Sequence, residues 1–465
     1  MSEKLNRPEA PPTEEKPGRP EVRPDAEKQA SGAVKPTKPF RYGVGMFGTS
    51  IPVNMFKSFA AIYYVDQLGL SMKHYSFVLF IYTFLDVIDN PVYGFLSDRT
   101  RTRWGRRRPW LVIGTPLLVL SFVMFFNVPG VISSDQGRLF IYMLLLYLLT
   151  GTLDSLINAN YGALFPELFR SDKERAKTNA IRQACQLVAM VISIALTPMI
   201  TSAIGYRLTS LIYGVVALAV ILYCTFGCHE SMDYAAAEKP NLWKSIVDLV
   251  RNGRFWIYGI VGAFYSAATA LLLQAVSFYV KYSLRLAGGQ TTLLLASVFA
   301  VALIGILVWT MISRKVDVMK IWRLGFLIMG LAFLPLLFTQ SLAQSIPFVA
   351  LVGFGYGACL ITMDCIGAKI IDDDYQKHHI RREGIMTSLI GMLNRLNGLY
   401  SSLAFFVVSE RFGFVNGDNP GPSPDTASRV LMCVFPFLAM AVAYIISHFL
   451  HFTEADNAVS DSERG

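Results

Sequence analysis

The 465-residue chain has little charge for its length. Charged residues make up 16% of it and hydrophobic residues 53%, whereas a soluble domain carries about 25% charged residues. The mean hydropathy is positive, and the charges lie in clumps between long apolar stretches. This pattern excludes an ordinary soluble domain and indicates a chain that crosses a membrane many times.

The sequence also lacks the short motifs of common enzymes. It contains no Gly-x-x-x-x-Gly-Lys phosphate loop, no nucleophile motif and no spaced set of histidines and cysteines. The six cysteines lie mostly in apolar runs, without a Cys-x-x-Cys pair or a disulfide framework, and are interpreted as small core residues. We therefore expect no enzyme activity, no ATP-driven pump, no cofactor and no resident metal.

The net charge of +9 does not require a nucleic-acid partner. The basic residues lie in short loops at alternate junctions, where membrane topology explains them. No cleavable signal peptide is visible. Residues 1–41, rich in Pro, Glu, Lys and Arg, are expected to form a disordered cytoplasmic tail, and residues 453–465 a short polar tail.

Twelve apolar segments are long enough to cross a bilayer as helices, which predicts an all-α membrane protein. They fall at about residues 43–67, 75–98, 109–128, 138–166, 178–203, 206–228, 254–282, 291–313, 320–340, 345–371, 384–412 and 428–452. Lys and Arg crowd into the N-terminal tail and the even-numbered connections. The positive-inside rule therefore predicts a multi-pass protein of the cell membrane with both termini in the cytoplasm.

The longest polar break, residues 229–253, divides six predicted helices from six. We expect an N-terminal bundle over 42–228, a cytoplasmic linker over 229–253 and a C-terminal bundle over 254–452. The basic connection after the second segment has a weaker counterpart six segments later, at residues 313–320. This repeat favours a pseudo-twofold arrangement of the two bundles.

Two carboxylates, Asp86 and Asp89, interrupt the second apolar segment. Asp86 would lie about 16 Å from the segment's end, near the midplane of a hydrocarbon core about 30 Å thick. A carboxylate there costs about 2.5–3.5 kcal/mol on insertion scales and requires a partner or a function. Asp86, Asp89 and Asn90 share one helical face, so their oxygens can surround a cation or a proton. Alternatively, Lys57 of the first helix reaches these acids. It would then either replace the mobile cation, which leaves a uniporter, or tune the pKa of an acid in a proton-coupled carrier.

The loop after this segment resembles the signature loop of the major facilitator superfamily. It reads Gly94-x-x-x-Asp98-Arg99 and then Trp104-Gly105-Arg106-Arg107-Arg108-Pro109-Trp110. This form is similar to the sugar:cation (glycoside-pentoside-hexuronide) branch that includes the melibiose permeases, and stretches 64–71, 165–182 and 381–384 agree. The resemblance covers about residues 43–452. It implies a 6+6 helical bundle, secondary transport and a cytoplasmic gating latch formed by Gly94, Asp98, Arg99, Trp104, Gly105 and Arg106.

The resemblance also implies a cation site and a substrate cavity. The cation site would comprise Asp86, Asp89, Asn90 and Ser155, with Asp89 and Asn90 in exchanged order. In galactoside-type members two acids grip the sugar; Ser50 and Asn158 stand at those positions here, so a melibiose-like substrate is not inferred. The set of residues expected to contact substrate is Ser50, Lys57, Asp154, Asn158, Arg182, Asn394 and Arg395.

Three charged residues in the tenth and eleventh segments have predicted partners. Arg395 lies near the midplane of the eleventh segment. It either binds an anionic substrate group or pairs with Asp154 or Asp86 as a closed bridge between the halves. Asp364 and Lys369 of the tenth segment are expected to pair with each other.

These patterns together predict a monomeric carrier that moves a sugar or glycoside by alternating access with Na⁺ or H⁺. Two alternatives stay open. One is a uniporter or a carrier of another cargo, such as a lysophospholipid or an organic anion, and the other is a non-transporting sensor on a carrier fold. A sugar requires a polar cavity with aromatic side chains, whereas an amphipathic cargo requires an apolar cleft.

Overall fold

The computed structural model describes residues 37–100, 102, 104–169, 172–229, 251–378 and 383–451. Within this part of the chain the structure is helical, and extended backbone pairs only in an isolated bridge between Thr102 and Gly105. The predicted tails and linker lie largely outside the described residues. A short helix, Pro39–Gly43, precedes the first span.

Helices cover all twelve predicted spans across the described residues. We name them α1 (Gly45–Ala61), α2 (Met72–Arg99), α3 (Arg108–Phe125), α4 (Gln136–Leu168), α5 (Asp172–Met190), α6 (Thr197–Gly227), α7 (Gly253–Phe278), α8 (Thr291–Ile312), α9 (Val318–Phe333), α10 (Leu342–His378), α11 (Glu383–Arg395 and Asn397–Phe412) and α12 (Phe435–Ser447). Gly205, with φ 77°, interrupts α6 and separates the predicted fifth and sixth spans.

Eight helical runs in the described residues are long and apolar enough to cross a membrane, and one of them covers both the fifth and the sixth predicted spans. The three predicted spans that fall outside these runs are the first, second and eleventh. They are helical as well, and they carry the midplane charges Lys57, Asp86, Asp89 and Arg395. Apolar burial alone therefore does not hold these three spans in place, and their charges need partners inside the bundle.

Close packing in the second half depends on glycines of α10. A Cβ atom at Gly353 would lie 2.2 Å from the Val298 carbonyl oxygen of α8, and one at Gly357 would lie 2.7 Å from that of Ala302. Small residues at this spacing let two helix backbones approach, which replaces the weak hydrophobic drive between helices in lipid. As a result α10 packs extensively on α8, while its other side covers α9.

The end of α1 has an unusual hydrogen-bond pattern. The helix widens into a π-helical turn, Ile62–Gln67. The Leu68 amide then donates to the Tyr63 carbonyl at 3.0 Å, and the Leu70 amide donates to the Tyr64 carbonyl at 2.8 Å. Gly69, with φ 73°, supplies the left-handed residue that ends the helix.

The end of α7 repeats this pattern. Its π-helical turn is Tyr279–Ser283. The Leu284 amide donates to the Tyr279 carbonyl at 3.1 Å, and the Leu286 amide donates to the Val280 carbonyl at 3.0 Å. Arg285, with φ 55°, takes the place of the glycine. The two halves thus end their first helix in the same way, as a pseudo-twofold fold requires.

These two helix ends meet at one face of the bundle, which we call the closed face. The Asp66 carboxylate is buried and pairs with the Lys281 ammonium at 2.6 Å, and it also accepts a hydrogen bond from the Tyr282 hydroxyl. The loop between α11 and α12 covers this contact, because the Gly417 amide donates to the Val65 carbonyl at 2.8 Å. The first and second halves are therefore joined by charge and by backbone at this face.

Replacing Gly417 by alanine is expected to destabilise the closed face. A Cβ atom there would lie 2.0 Å from the Asp66 carbonyl oxygen, and overpacking of this kind costs about 1–3 kcal/mol. Thermal unfolding of the purified protein in detergent should show a lower midpoint for Gly417→Ala. Gly130→Ala is the matched control, since nothing lies within 4 Å of its added Cβ. Equal midpoints for the two variants would show that the loop tolerates the side chain.

Candidate functional site

Asp86 is the centre of a buried hydrogen-bond network between α2, α4 and α11. Its carboxylate forms an ion pair with the Arg395 guanidinium. The same oxygen accepts hydrogen bonds from the Tyr82 hydroxyl at 3.0 Å and the Ser155 hydroxyl at 3.3 Å. Arg395 Nη1 also donates to the Asp86 carbonyl at 2.6 Å and to Ser155 Oγ at 3.2 Å. The bridge from Arg395 to Asp86, one of the two interpretations given above, is present.

Two glycines explain how these helices come so close. A Cβ atom at Gly398 of α11 would lie 2.1 Å from Thr83 Oγ1, and one at Gly151 of α4 would lie 2.1 Å from the Tyr82 ring. Arg395 precedes Gly398 by about a turn, and Asp86 follows Thr83 by about a turn. The close approach at Gly398 therefore places the guanidinium against the carboxylate.

Asp89 has a different environment from Asp86. It is 6% exposed, and its carboxylate accepts a hydrogen bond from the Thr152 hydroxyl at 3.2 Å. No cationic side chain among the described residues forms an ion pair with it. The fourth member of the predicted cation site, Asn90, lies in α2, but its side chain is outside what the structure describes.

Thr152 was missed by the sequence analysis. It precedes Ser155 by three residues on α4, so both hydroxyls lie on one face of that helix. The three-residue spacing from Ser155 could have identified Thr152 from the sequence. The structure places one hydroxyl on each of the two α2 carboxylates.

Lys57 pairs with a different acid from the one expected. Its ammonium lies 3.5 Å from the Asp154 carboxylate of α4, and this is its ion pair among the described residues. Asn158, one turn later on α4, donates its amide to the same carboxylate and to the Asp154 carbonyl at 3.1 Å. The hypothesis that Lys57 reaches the α2 acids is wrong here, because α1 presents this lysine to α4.

A cavity of about 470 Å³ with mixed polar and apolar lining lies between α1, α7, α10 and α11. From α1 it is lined by Asn54 and by Lys57, whose side chain is 44% exposed. From α11 it is lined by Asn394 and Asn397. The remaining hydrogen-bonding and aromatic lining comes from α7 and α10 as Tyr258, Tyr265, Ser266, Thr269, Gln274, Tyr356 and Asp364.

The aromatic lining could have been read from the sequence. Tyr258 and Tyr265 are seven residues apart, which places both on one face of α7. In the structure the Tyr265 ring stacks on Tyr356 of α10, with 6.0 Å between centroids, and Tyr258 stacks on Trp322 of α9. The three tyrosines belong to the lining of the cavity.

The other residues expected to contact substrate lie outside the lining of this cavity. Asp154 and Asn158 bond each other behind Lys57, and Arg395 is held by Asp86. Ser50 is buried in α1 at 8% exposure. Arg182 of α5 lies over the Phe165 ring, 5.4 Å from its centroid. Lys57 and Asn394 are the members of that set that reach the cavity.

The predicted gating loop folds as a tight turn after α2. The Thr102 hydroxyl donates to the Gly105 carbonyl at 2.7 Å and accepts from the Trp104 amide at 3.2 Å. Gly105 adopts φ 103°, a conformation that favours glycine. Gly94, Asp98 and Arg99 lie in the last turns of α2, where only their backbone is described, and Arg106 continues the loop.

Arginines after the turn fix it to the bundle. Arg107 donates to Ser97 Oγ at 2.6 Å, and Arg108 donates to the Thr225 carbonyl of α6 at 3.0 Å. The loop is thus bonded to the ends of α2 and α6, and its role as a latch stays a prediction.

The chemistry of this site is binding and charge compensation. Carboxylates, amides and hydroxyls suit hard cations and polyols, and tyrosine rings suit the apolar faces of a sugar ring. Within the described residues no group of three or more His, Cys, Asp or Glu side chains is placed to hold a metal ion. The site therefore presents a cavity of mixed polar and apolar lining with tyrosine rings in its walls.

Comparison with known proteins agrees with this geometry. A family model described as MFS/sugar transport protein matches residues 41–454. The isoprimeverose transporter of Lactiplantibacillus pentosus is 24% identical over 366 residues, 75% of this chain and 74% of that protein. The glucuronide carrier protein homolog of Escherichia coli (strain K12) is 23% identical over 426 residues, 89% of this chain and 92% of that protein.

A solved structure shows the same fold. The crystal structure of the nucleoside transporter NupG superposes with a TM-score of 0.68, covering 89% of this chain and 99% of that one. At 11% sequence identity this likeness concerns the fold alone.

Proposed function

Because the chain belongs to the MFS/sugar transport protein family, we propose that it carries a glycoside through the 470 Å³ cavity by alternating access, coupled to Na⁺ or H⁺. Family membership confirms the resemblance seen in the loop after α2, the major-facilitator fold and the assignment as a secondary transporter. To these we add the cavity as the path of the substrate, a cation as the coupled ion, and the residues that bind each.

The cavity is the observation that carries the proposal. It brings an ammonium, amides, hydroxyls and three tyrosine rings from both halves of the chain around one space near mid-bundle. A sugar ring has hydroxyls around its edge and apolar C–H groups on its faces, so it is complementary to such a lining.

Asp89 supports coupling to a cation. Asp86 is neutralised by Arg395 and Asp154 by Lys57, so Asp89 is the midplane acid of α2 and α4 that keeps no cationic partner among the described residues. A buried unpaired carboxylate is costly unless it binds a cation or a proton. Since Lys57 is held by Asp154, the tethered-ammonium alternative does not account for Asp89, and symport is favoured over uniport.

The closed face suggests the direction in which the cavity opens. α2 packs more extensively on the second segment of α11, Asn397–Phe412, than on the first, Glu383–Arg395. The second segment is the one that leads to the closed face. The opposite face carries the described parts of the basic even-numbered connections, and the positive-inside rule assigns it to the cytoplasm. We infer that this conformation offers the cavity to the cytoplasm and is sealed toward the outside.

Uptake into proteoliposomes tests the proposal. We expect a panel of labelled neutral and acidic methyl glycosides to include at least one that accumulates above its external concentration under an imposed Na⁺ or H⁺ gradient. Accumulation should vanish when an ionophore removes that gradient. Equilibration without accumulation under either gradient would make the protein a uniporter. Failure of the whole panel to enter would refute glycoside transport.

A further inference from the structure

Asp364 of α10 is a cavity carboxylate that the sequence analysis assigned elsewhere. Tyr356, Leu360 and Asp364 are spaced four residues apart, and all three line the cavity, as one helical face requires. Lys369 follows Asp364 by five residues, which places it on a different side of α10. The expected pair between them is absent, and Asp364 is exposed, with no ion-pair or hydrogen-bond partner among the described residues.

The neighbours of Asp364 fix its position. The Tyr258 hydroxyl of α7 donates to the carbonyl of the preceding residue, Met363, at 2.9 Å. A Cβ atom at Gly367, one turn later, would lie 2.8 Å from that hydroxyl oxygen. Tyr258 thus contacts α10 on both sides of Asp364 in the sequence, which fixes the backbone of Asp364 against α7.

A second acceptor lies in the same cavity. The Asn394 side-chain oxygen is buried and has no hydrogen-bond partner among the described residues. It lies against Gly262, where a Cβ atom would be 2.7 Å away. A buried acceptor without a donor costs free energy until one arrives. Asp364 is thus open to the hydroxyl donors of a ligand, and Asn394 holds a second unpaired acceptor inside the cavity wall.

The charges of the midplane bias the cavity toward negative potential. Two acids are matched, Asp86 by Arg395 and Asp154 by Lys57. Asp89 and Asp364 remain without a cationic partner among the described residues. A cation bound at Asp89 would still leave the carboxylate of Asp364 uncompensated. An anionic ligand bound in the cavity would meet that charge at close range.

We propose that Asp364 determines substrate specificity: it accepts hydrogen bonds from the hydroxyls of a neutral glycoside and excludes sugar acids. The inference rests on the proposed glycoside transport and narrows it to uncharged substrates. A carboxylate that accepts from two adjacent hydroxyls makes charge-assisted bonds, whereas a uronide would place like charges together.

A matched pair of probes tests the proposal in proteoliposomes. Methyl β-glucopyranoside and methyl β-glucuronide differ only in whether C6 is a hydroxymethyl or a carboxylate group. We expect the wild type to prefer the glucoside by at least about tenfold in kcat/KM. Asp364→Asn, which keeps shape but removes charge, should reduce that preference at least about fivefold by raising KM for the glucoside and admitting the glucuronide.

The control is Asp425→Asn, which removes a half-exposed carboxylate paired with Arg429 at the closed face. It should leave the preference unchanged. A wild type that prefers the glucuronide, or an Asp364→Asn variant with the wild-type ratio, would overturn the proposal. Thermal unfolding of each variant separates a loss of folding from a change of specificity.

A second measurement is independent of any transported sugar. In a background with the accessible cysteines Cys185 and Cys365 replaced by serine, Ala270→Cys places a thiol on the cavity wall. We expect it to react faster with a trimethylammonium methanethiosulfonate than with a sulfonate one, and Asp364→Asn should lower this rate ratio about fivefold. If neither glycoside enters but the ratio falls, glycoside transport fails while the charge role of Asp364 stands. An unchanged ratio overturns that role.

Discussion

Arg395→Gln is expected to lower the free energy of unfolding by about 3–5 kcal/mol and, with it, the initial rate of glycoside uptake. The substitution leaves Asp86 buried beside Tyr82 and Ser155 without its counter-charge. Breaking a buried pair by removing one partner leaves an uncompensated charge inside the bundle. Uptake into proteoliposomes measures the effect, and thermal unfolding reports the accompanying loss of stability.

A double variant separates charge from shape. Asp86→Asn with Arg395→Gln removes both charges, so its unfolding midpoint should recover toward the wild type, since neutral replacement of a buried pair is often tolerated. Lys73→Gln is the control for loss of one positive charge from an ion pair. Lys73 and Glu410 form an exposed pair worth about 1 kcal/mol or less. If Arg395→Gln has the same unfolding midpoint and uptake rate as Lys73→Gln, the pair of Arg395 with Asp86 is not needed for stability or transport.

Asp89→Asn is expected to abolish accumulation while leaving downhill movement of the sugar. A tenfold gradient of one monovalent cation stores about 1.4 kcal/mol, enough for about tenfold accumulation at one-to-one coupling. The variant keeps the acceptor for Thr152 but loses the charge that attracts the cation, so the ratio of internal to external sugar should fall to one. Counterflow of labelled sugar, which needs no gradient, measures the movement that remains.

Thr152→Val supplies a graded comparison for Asp89. It removes one hydroxyl from the carboxylate without changing charge, so the cation concentration for half-maximal uptake should rise while coupling persists. Gradient-driven accumulation by Asp89→Asn would assign coupling to another group, with Asp86 the next candidate.

Much of the scaffold could be predicted from the sequence because length, hydropathy and charge act locally. The twelve spans and the family-type loop at Trp104 and Gly105 follow from such patterns. The pairing of Asp86 with Arg395 was one of two stated options, since both lie near the midplane. The depth of these residues in the membrane therefore indicated a possible pair but did not decide between pairing and substrate binding for Arg395.

The other contacts of the candidate site could not be predicted, because they depend on how each helix is rotated about its axis. Lys57 faces Asp154 rather than the α2 acids because of the phase of α1, which a single hydropathy profile does not encode. Asp364 was assigned to Lys369 from proximity in sequence, although five residues correspond to different sides of a helix. The packing of Gly417 on Asp66 joins residues far apart in the chain, and no local signal marks it.

The matching ends of α1 and α7 bear on how such a chain can arise. Asp66 precedes Gly69 by three residues, as Tyr282 precedes Arg285, so Asp66 and Tyr282 occupy equivalent places and yet touch each other. Equivalent places touch only on the symmetry axis. In a dimer of identical halves this isologous contact would set aspartate against aspartate, and the carboxylates would repel. A fused duplication removes that constraint, because each copy can change its residue independently and a mismatched pair can then join the halves at the closed face.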